Sequence, residues 1–200
     1  MKKARINILG IDIDPLTMQE TVNSVERYVL EKKALHLMGV NADKINQCHD
    51  DEEIRKIVNE SGIINADGAS VVLASKFLGS PIPERVAGID LMQELLHLAN
   101  EKGYSVYLFG AKEEVLTDML AVFKKDYPNL QVVGRRNGYF SAEEEEIIQE
   151  DIRKKNPDFV FVGITSPKKE YLIQKFMDNG VNSVFMGVGG SFDVLSGHIK

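Results

Sequence analysis

From Leu35 to Met186, short apolar runs alternate with stretches in which apolar residues recur every three or four positions, and this alternation constrains the chain more than anything else in it. A run such as Phe159-Val160-Phe161-Val162 presents no polar face to water and belongs in a strand covered on both sides. A stretch carrying Val115, Met119, Val122 and Phe123 places its apolar groups along one side of a helix. Strands separated by helices pair in parallel through right-handed crossovers, so the pattern predicts an α/β fold: a parallel sheet with helices on both faces. Two hundred residues fit one such domain, residues 1–200, and no repeat, low-complexity tract or linker divides it.

The series opens with a strand over Ile6-Asn7-Ile8-Leu9, ended by Gly10, and a helix striped by Met18, Val22, Val25 and Val29 behind a Thr17/Glu20 capping box. Leu35 to Val40 is the next strand. Asn41-Ala42-Asp43 turns it into a helix, and a second helical piece carries Ile54, Ile57 and Val58. Gly62-Ile63-Ile64 precedes Asn65-Ala66-Asp67-Gly68 and the helix from Ala69 to Leu78. The loop from Gly79 to Gly88 holds Pro81 and Pro83, which forbid helix and sheet interior alike. Asp90 is the expected cap of the helix with Leu91, Leu95 and Leu98, stopped by Gly103. Strands follow at Tyr104–Phe109, Leu130–Val133, Phe159–Val162 and Ser183–Met186, with helices between them, one capped by Ser141 and Glu144 and one from Glu170 to Asp178. After the turn Gly187-Val188-Gly189-Gly190 the chain reaches His198, Ile199 and Lys200 with no closing helix expected, which suggests a longer native protein.

Composition excludes several classes. A net charge of −6 argues against nucleic acid, which calls for a basic face. No apolar run has the length of a membrane span, and Met1-Lys2-Lys3-Ala4-Arg5 leads into a strand and not a signal-peptide core, so a cytoplasmic protein is expected. Cys48 is the sole cysteine, which excludes an internal disulfide and a cysteine-based zinc cluster. His36, His49, His97 and His198 are scattered without a helical metal-ligand spacing. Asp12-Ile13-Asp14 has the form of a divalent-cation motif, but Pro15 and the Thr17 cap assign these aspartates to a turn, and no metal or other cofactor is expected.

Candidate site residues sit where strands end. Asp67 lies at a strand's carboxyl end, where open α/β sheets bind ligands, so it either meets a substrate or caps the helix that follows. Gly187, Gly189 and Gly190 let backbone N–H groups approach a phosphate, or simply make a tight turn. Their spacing lacks the third glycine of a dinucleotide fingerprint, and no Walker lysine follows. Gly110 opens a similar turn. Lys168 and Lys169 stand at a helix start, against the dipole, which favours service to an anionic ligand. Arg85, in the proline-bounded loop, is a fork for phosphate or carboxylate, or a surface arginine.

Taken together, Asn65-Ala66-Asp67-Gly68, Arg85-Val86-Ala87-Gly88-Ile89-Asp90-Leu91, Pro167-Lys168-Lys169-Glu170 and Gly187-Val188-Gly189-Gly190-Ser191-Phe192-Asp193 resemble the WecG/TagA/CpsF glycosyltransferases, nearest the TagA type, over essentially the whole chain. The resemblance implies a Rossmann-like, metal-independent, inverting enzyme. It would move N-acetylmannosamine from UDP-N-acetylmannosamine to the 4-hydroxyl of N-acetylglucosamine on diphospho-undecaprenol, in making the linkage unit of wall teichoic acid. Asp67 matches the family's candidate base; Asn41, Asn65, Gly68, Arg85, Gly110, Glu170 and the Gly187–Asp193 segment fall where donor and acceptor bind. Tyr139 is expected to stack on the uracil and Asp193 to accept from its N–H. Gly39 and Lys169 depart from the threonine and glutamine that members often carry, which puts the donor sugar in doubt. The resemblance also implies a basic C-terminal segment that meets the inner face of the plasma membrane; an unfinished sheet edge would suit pairing with a second copy. The rival expectations are a non-catalytic nucleotide-sugar sensor and an NAD-dependent oxidoreductase.

Overall fold

The computed structural model describes residues 3–199; Met1, Lys2 and Lys200, named above at the chain's two ends, lie outside the described residues. The elements run β1 (Ile6–Ile8), β2 (Ile11–Ile13), α1 (Met18–Leu30), β3 (Leu35–Val40), α2 (Ala42–Asp50), α3 (Glu52–Glu60), β4 (Ile63–Ala66) and α4 (Ala69–Phe77). They continue α5 (Gly88–Lys102), β5 (Ser105–Gly110), α6 (Glu113–Asp126), β6 (Gln131–Arg136), α7 (Glu144–Lys155), β7 (Phe159–Gly163), α8 (Lys168–Asp178), β8 (Val184–Gly187) and α9 (Ser191–Leu195). Six strands form one parallel sheet in the order β4-β3-β8-β7-β5-β6. This is the expected α/β architecture.

Alternate residues of the sheet feed opposite cores, as the pleat requires. Leu35, Leu37, Phe159, Phe161, Val184 and Met186 pack with α1, α5 and α6. On the other face, Met38, Val40 and Ile64 pack with α2 and α3, while Val160, Val162 and Phe185 pack with α7 and α8. Among the described residues, no helix is long and apolar enough to cross a membrane.

Three local expectations need correction. The first strand is not part of the parallel sheet: Leu9 and Gly10, at φ 51 and 88, make a two-residue turn, and β1 pairs antiparallel with β2 as a hairpin. Asp12 and Asp14 therefore belong to the hairpin and its contact with β4, and not to a turn leading into α1. Asp12 accepts from the Asn7 amide at 2.8 Å, while Asp14, buried, accepts from Ile64 N–H at 2.8 Å and from Arg5 at 3.1 Å, tying the hairpin to β4. The end of the chain does carry a closing helix, the short α9, because Phe192 is drawn into the core. Finally, α7 begins at Glu144 and not behind a Ser141 cap; the Glu144 carboxylate instead accepts from Ser141 N–H at 2.8 Å.

The strand order makes a crevice. β3 and β8 pair only from Leu35 opposite Val184 to Leu37 opposite Met186. Beyond that, β3 stays with β4 as far as Val40, and β8 stays with β7 as far as Gly187. The two central strands part at their carboxyl ends, where the direction of winding reverses, and a ligand site opens at such a point.

Candidate active site

A cavity of about 350 Å³ fills this crevice, within the size range of small-molecule sites. Its walls come from the ends of β3, β4 and β8 and from the starts of α2, α5 and α8. A larger hollow of about 690 Å³, lined by Leu16, Glu20, Arg27 and Tyr28, lies by Gly62 and Ile63 at the amino end of β4, the wrong edge for a ligand in this fold.

Asp67 stands in the cavity wall. Its backbone N–H and that of Gly68 donate to Val40 O at 2.9 and 3.2 Å, carrying the β3–β4 pairing one step past the strands. The carboxylate does cap a helix, but not the one that follows it in sequence. Oδ1 accepts from Gly88 N–H at 3.1 Å, at the start of α5, while α4 begins behind Gly68 with no side-chain cap. Asp90 is consequently a first-turn residue of α5 and not its cap. Oδ2 makes no hydrogen bond among the described residues. Two glycines flank it, and a methyl group added at Gly39 or Gly88 would stand 3.4 or 3.2 Å away. Arg85 donates from Nε to the Asp67 main-chain oxygen at 2.6 Å and holds its guanidinium 3.9 Å from Oδ1. With its side chain 33% exposed, Asp67 is fixed at one oxygen and open at the other.

Behind it, Asn65 is buried with its amide donating to Thr21 Oγ1 at 2.9 Å and its Oδ1 unpartnered in the cavity wall. Asn41 caps α2 by accepting from Lys44 N–H at 2.9 Å. Gly68 approaches the Asn41 Cα so closely that a Cβ would sit 3.1 Å from it.

The opposite wall is ionic. The buried Lys44 ammonium donates to Gln47 at 2.8 Å, Ser166 at 2.5 Å and Glu170 Oε1 at 2.8 Å. Ser166 Oγ lies 2.9 Å from Glu170 Oε2 and 2.8 Å from Gln47 Oε1, with one proton to give. Glu170 has no exposed surface. Burial raises its pKa, but the Lys169 and Lys44 ammonium groups outweigh that and hold it below the usual carboxylate range. Lys169 approaches Glu170 Oε1 at 3.5 Å, and burial pushes its own pKa down against the pull of that carboxylate. Its stem lies on Gly187, where an added Cβ would meet Cε at 2.6 Å and push the lysine chain aside. His36, 2% exposed, lines the same floor with Nδ1 unpartnered. Burial pushes its pKa down to about 4, with Glu170 opposing, so the ring is neutral at pH 7.

The cavity thus gathers Asp67, Asn65, Asn41, Glu170, Gly187 and Gly189, with Gly68, Arg85 and Gly190 at its margin. Gly110, Tyr139 and Asp193 are on the same edge of the sheet but outside this cavity's lining. Gly110 ends β5 at φ 131, where a Cβ would collide with the Gly163 carbonyl. Tyr139 is 68% exposed after β6. Asp193 lies on α9, its main-chain oxygen accepting from His198 and Ile199 N–H. Lys168, the other lysine at the start of α8, rests its ammonium 4.1 Å above the Phe140 ring. Lys44 and His36 were not singled out as site residues by sequence. The lysine looks like one polar residue of a polar helix, whereas a histidine amid Leu35, Leu37 and Met38 carries a signal of its own.

Chemically, the arrangement offers an oriented carboxylate, a buried cationic wall and a glycine turn around one cleft. Comparison with known proteins bears on what works there. The model of the Glycosyl transferase WecG/TagA/CpsF family matches residues 6–200. In Staphylococcus aureus strains NCTC 8325 / PS 47 and COL, the protein called N-acetylglucosaminyldiphosphoundecaprenol N-acetyl-beta-D-mannosaminyltransferase is 32% identical over 199 residues, covering 98% of this chain and 78% of the relative. The protein of that name in strain MRSA252 matches to the same extent. With the family model and these relatives both spanning almost the whole sequence, the chain belongs to the WecG/TagA/CpsF glycosyl transferase family.

Proposed function

We propose that the chain transfers N-acetylmannosamine from UDP-N-acetylmannosamine to the 4-hydroxyl of N-acetylglucosamine carried on diphospho-undecaprenol, by one inverting displacement. The observation that carries this reading is the Asp67 carboxylate, held at Oδ1 by Gly88 N–H and open at Oδ2 to the cleft. A single displacement at the anomeric carbon needs a base at the incoming hydroxyl and compensation for the departing diphosphate. Oδ2 takes the acceptor proton as the new C–O bond forms, and UDP leaves with the electron pair of the broken bond. The Gly88 N–H and the Arg85 contact to the Asp67 main chain fix the base in place. Asn65 Oδ1, buried and unpartnered, is the natural acceptor for a sugar hydroxyl or amide. On the far side of the sheet edge, Tyr139 is free to stack on uracil and Asp193 to accept from its N–H, with Gly110 setting the β5 turn beside them.

The names of the relatives favour the lipid-linked acceptor and the N-acetylmannosaminyl group. Such an acceptor supports a peripheral enzyme working at the inner face of the plasma membrane. Incubating the chain with UDP-N-acetylmannosamine and a lipid-diphospho-N-acetylglucosamine tests the proposal directly. Formation of a disaccharide lipid with release of UDP is expected; an unchanged acceptor beside intact, folded protein tells against it.

A further inference from the structure

In the cavity's ionic wall two ammonium groups, Lys44 and Lys169, share the one buried carboxylate of Glu170, while the part-exposed Asp67 carboxylate adds a weaker pull on Lys169. All three N–H groups of Lys44 are spent on Gln47, Ser166 and Glu170. Glu170 is occupied in turn, Oε1 by Lys44 at 2.8 Å and Oε2 beside the Ser166 hydroxyl at 2.9 Å. Lys169 is left with one distant approach, 3.5 Å to an oxygen already bonded, while its side chain is only 16% exposed and faces the cavity. An ammonium so far removed from water calls for an anionic partner. A second observation points to the same place. His36, 2% exposed on the cavity floor, keeps Nδ1 without a partner, a buried polar atom in need of one.

We infer that Lys169 seats an oxyanion of the bound substrate, a phosphate or carboxylate oxygen, and that the unpartnered His36 ring belongs to the same subsite. The stem of Lys169 packed on Gly187 aims the ammonium, so the charge is delivered at a fixed point and not by a mobile surface chain. The presence of the anion subsite follows from the side chains alone; only the identity of the molecule that brings the anion rests on the transferase reading. Two sources share this chemistry: the diphosphate of a nucleotide sugar and a carboxylate on the sugar itself.

Calorimetry on the whole chain with inorganic pyrophosphate, UDP-glucose and UDP-glucuronate separates them. Lys169→Gln is expected to weaken binding about tenfold or more, and Lys169→Arg to keep it within about threefold, as loss and retention of a charge-assisted contact dictate. Lys169→Met, which keeps a stem against Gly187, repeats the measurement without charge should the glutamine disturb packing. Loss with all three probes assigns the anion to the diphosphate; loss confined to UDP-glucuronate assigns it to the sugar. If the wild type binds pyrophosphate but neither of these nucleotide sugars nor UDP-N-acetylmannosamine, and Lys169→Gln loses it, the subsite stands and the transferase reading falls. Equal binding by wild type and both charge-free variants, or no binding of any probe by the wild type, overturns the inference.

Discussion

Lys44→Met should expose how strongly the ionic wall depends on one residue. Glu170 has no exposed surface and two hydrogen-bond donors, Lys44 at 2.8 Å and Ser166 at 2.9 Å, with the Lys169 ammonium in ionic contact at 3.5 Å. Removing one partner of a buried pair costs about 3–5 kcal/mol, because a charge is stranded out of water. Here Lys169 remains and can close some of its distance, which sets the expectation at the low end, about 3 kcal/mol. For a chain of this size each kcal/mol moves Tm by about 2–4 °C, so a drop of about 6–12 °C is expected. Circular dichroism on heating and urea titration measure it. Glu170→Gln in the same chain removes the stranded charge and should recover a large part of the loss. The acid side gives a sign to check. The Glu170 pKa is lowered in the folded protein, so the wild-type carboxylate stabilises the fold at neutral pH, and this contribution is lost as pH falls from the ordinary carboxylate value through the lowered one. The gap between Lys44→Met and wild type should therefore narrow in acid. A Lys44→Met protein as stable as wild type at pH 7, or a gap that widens in acid, refutes the reasoning.

Gly110→Ala combines φ 131 with a collision against the Gly163 carbonyl and should cost more than about 3 kcal/mol in urea unfolding. Gly180→Ala, at φ 84 with open space around it, should cost only about 1 kcal/mol. His36 is neutral when folded down to about pH 4, whereas the unfolded chain takes up its proton near 6.5. Each pH unit between those values should remove about 1.4 kcal/mol of stability in the wild type, a slope that His36→Gln flattens in urea titrations from pH 7 to 5. Arg5→Ala strips donors from Asp14 at 3.1 Å and from the Asn59, Ser61 and Gly62 carbonyls at 2.9, 2.6 and 3.1 Å, and should cost about 2–3 kcal/mol on unfolding.

What could be read in the sequence was what is local. Thr17 and Glu20 announced their capping box because both partners lie within one turn, and both of its bonds form. Runs such as Phe159–Val162 announced buried strands because a strand covered on both faces has no place for a polar residue. The hairpin was hidden because Ile11-Asp12-Ile13 is short and Asp14, the residue after it, engages β4, fifty residues on. Asp67 was legible as a helix cap, yet its partner is Gly88 and not the helix that follows it, a choice made by the fold of the 79–87 loop. Lys44 reads as a solvated residue until the turn into α8 returns, 122 residues later at Ser166, to bury it. The motif residues Asn65, Asp67, Glu170 and Gly187 share one cavity because the sheet brings the carboxyl ends of β3, β4 and β8 together, with α8 starting against them.

The central claim concerns one oxygen. Asp67→Asn keeps an acceptor for Gly88 N–H and the size of the side chain, and removes the negative charge and with it the capacity to take a proton. Transfer of N-acetylmannosamine to the lipid-linked acceptor should be measured for wild type and Asp67→Asn side by side, with UDP binding as the control. A base positioned at the acceptor hydroxyl contributes about 10²–10⁴-fold, so transfer should fall by about that factor while UDP still binds. Wild-type turnover by Asp67→Asn would contradict the account.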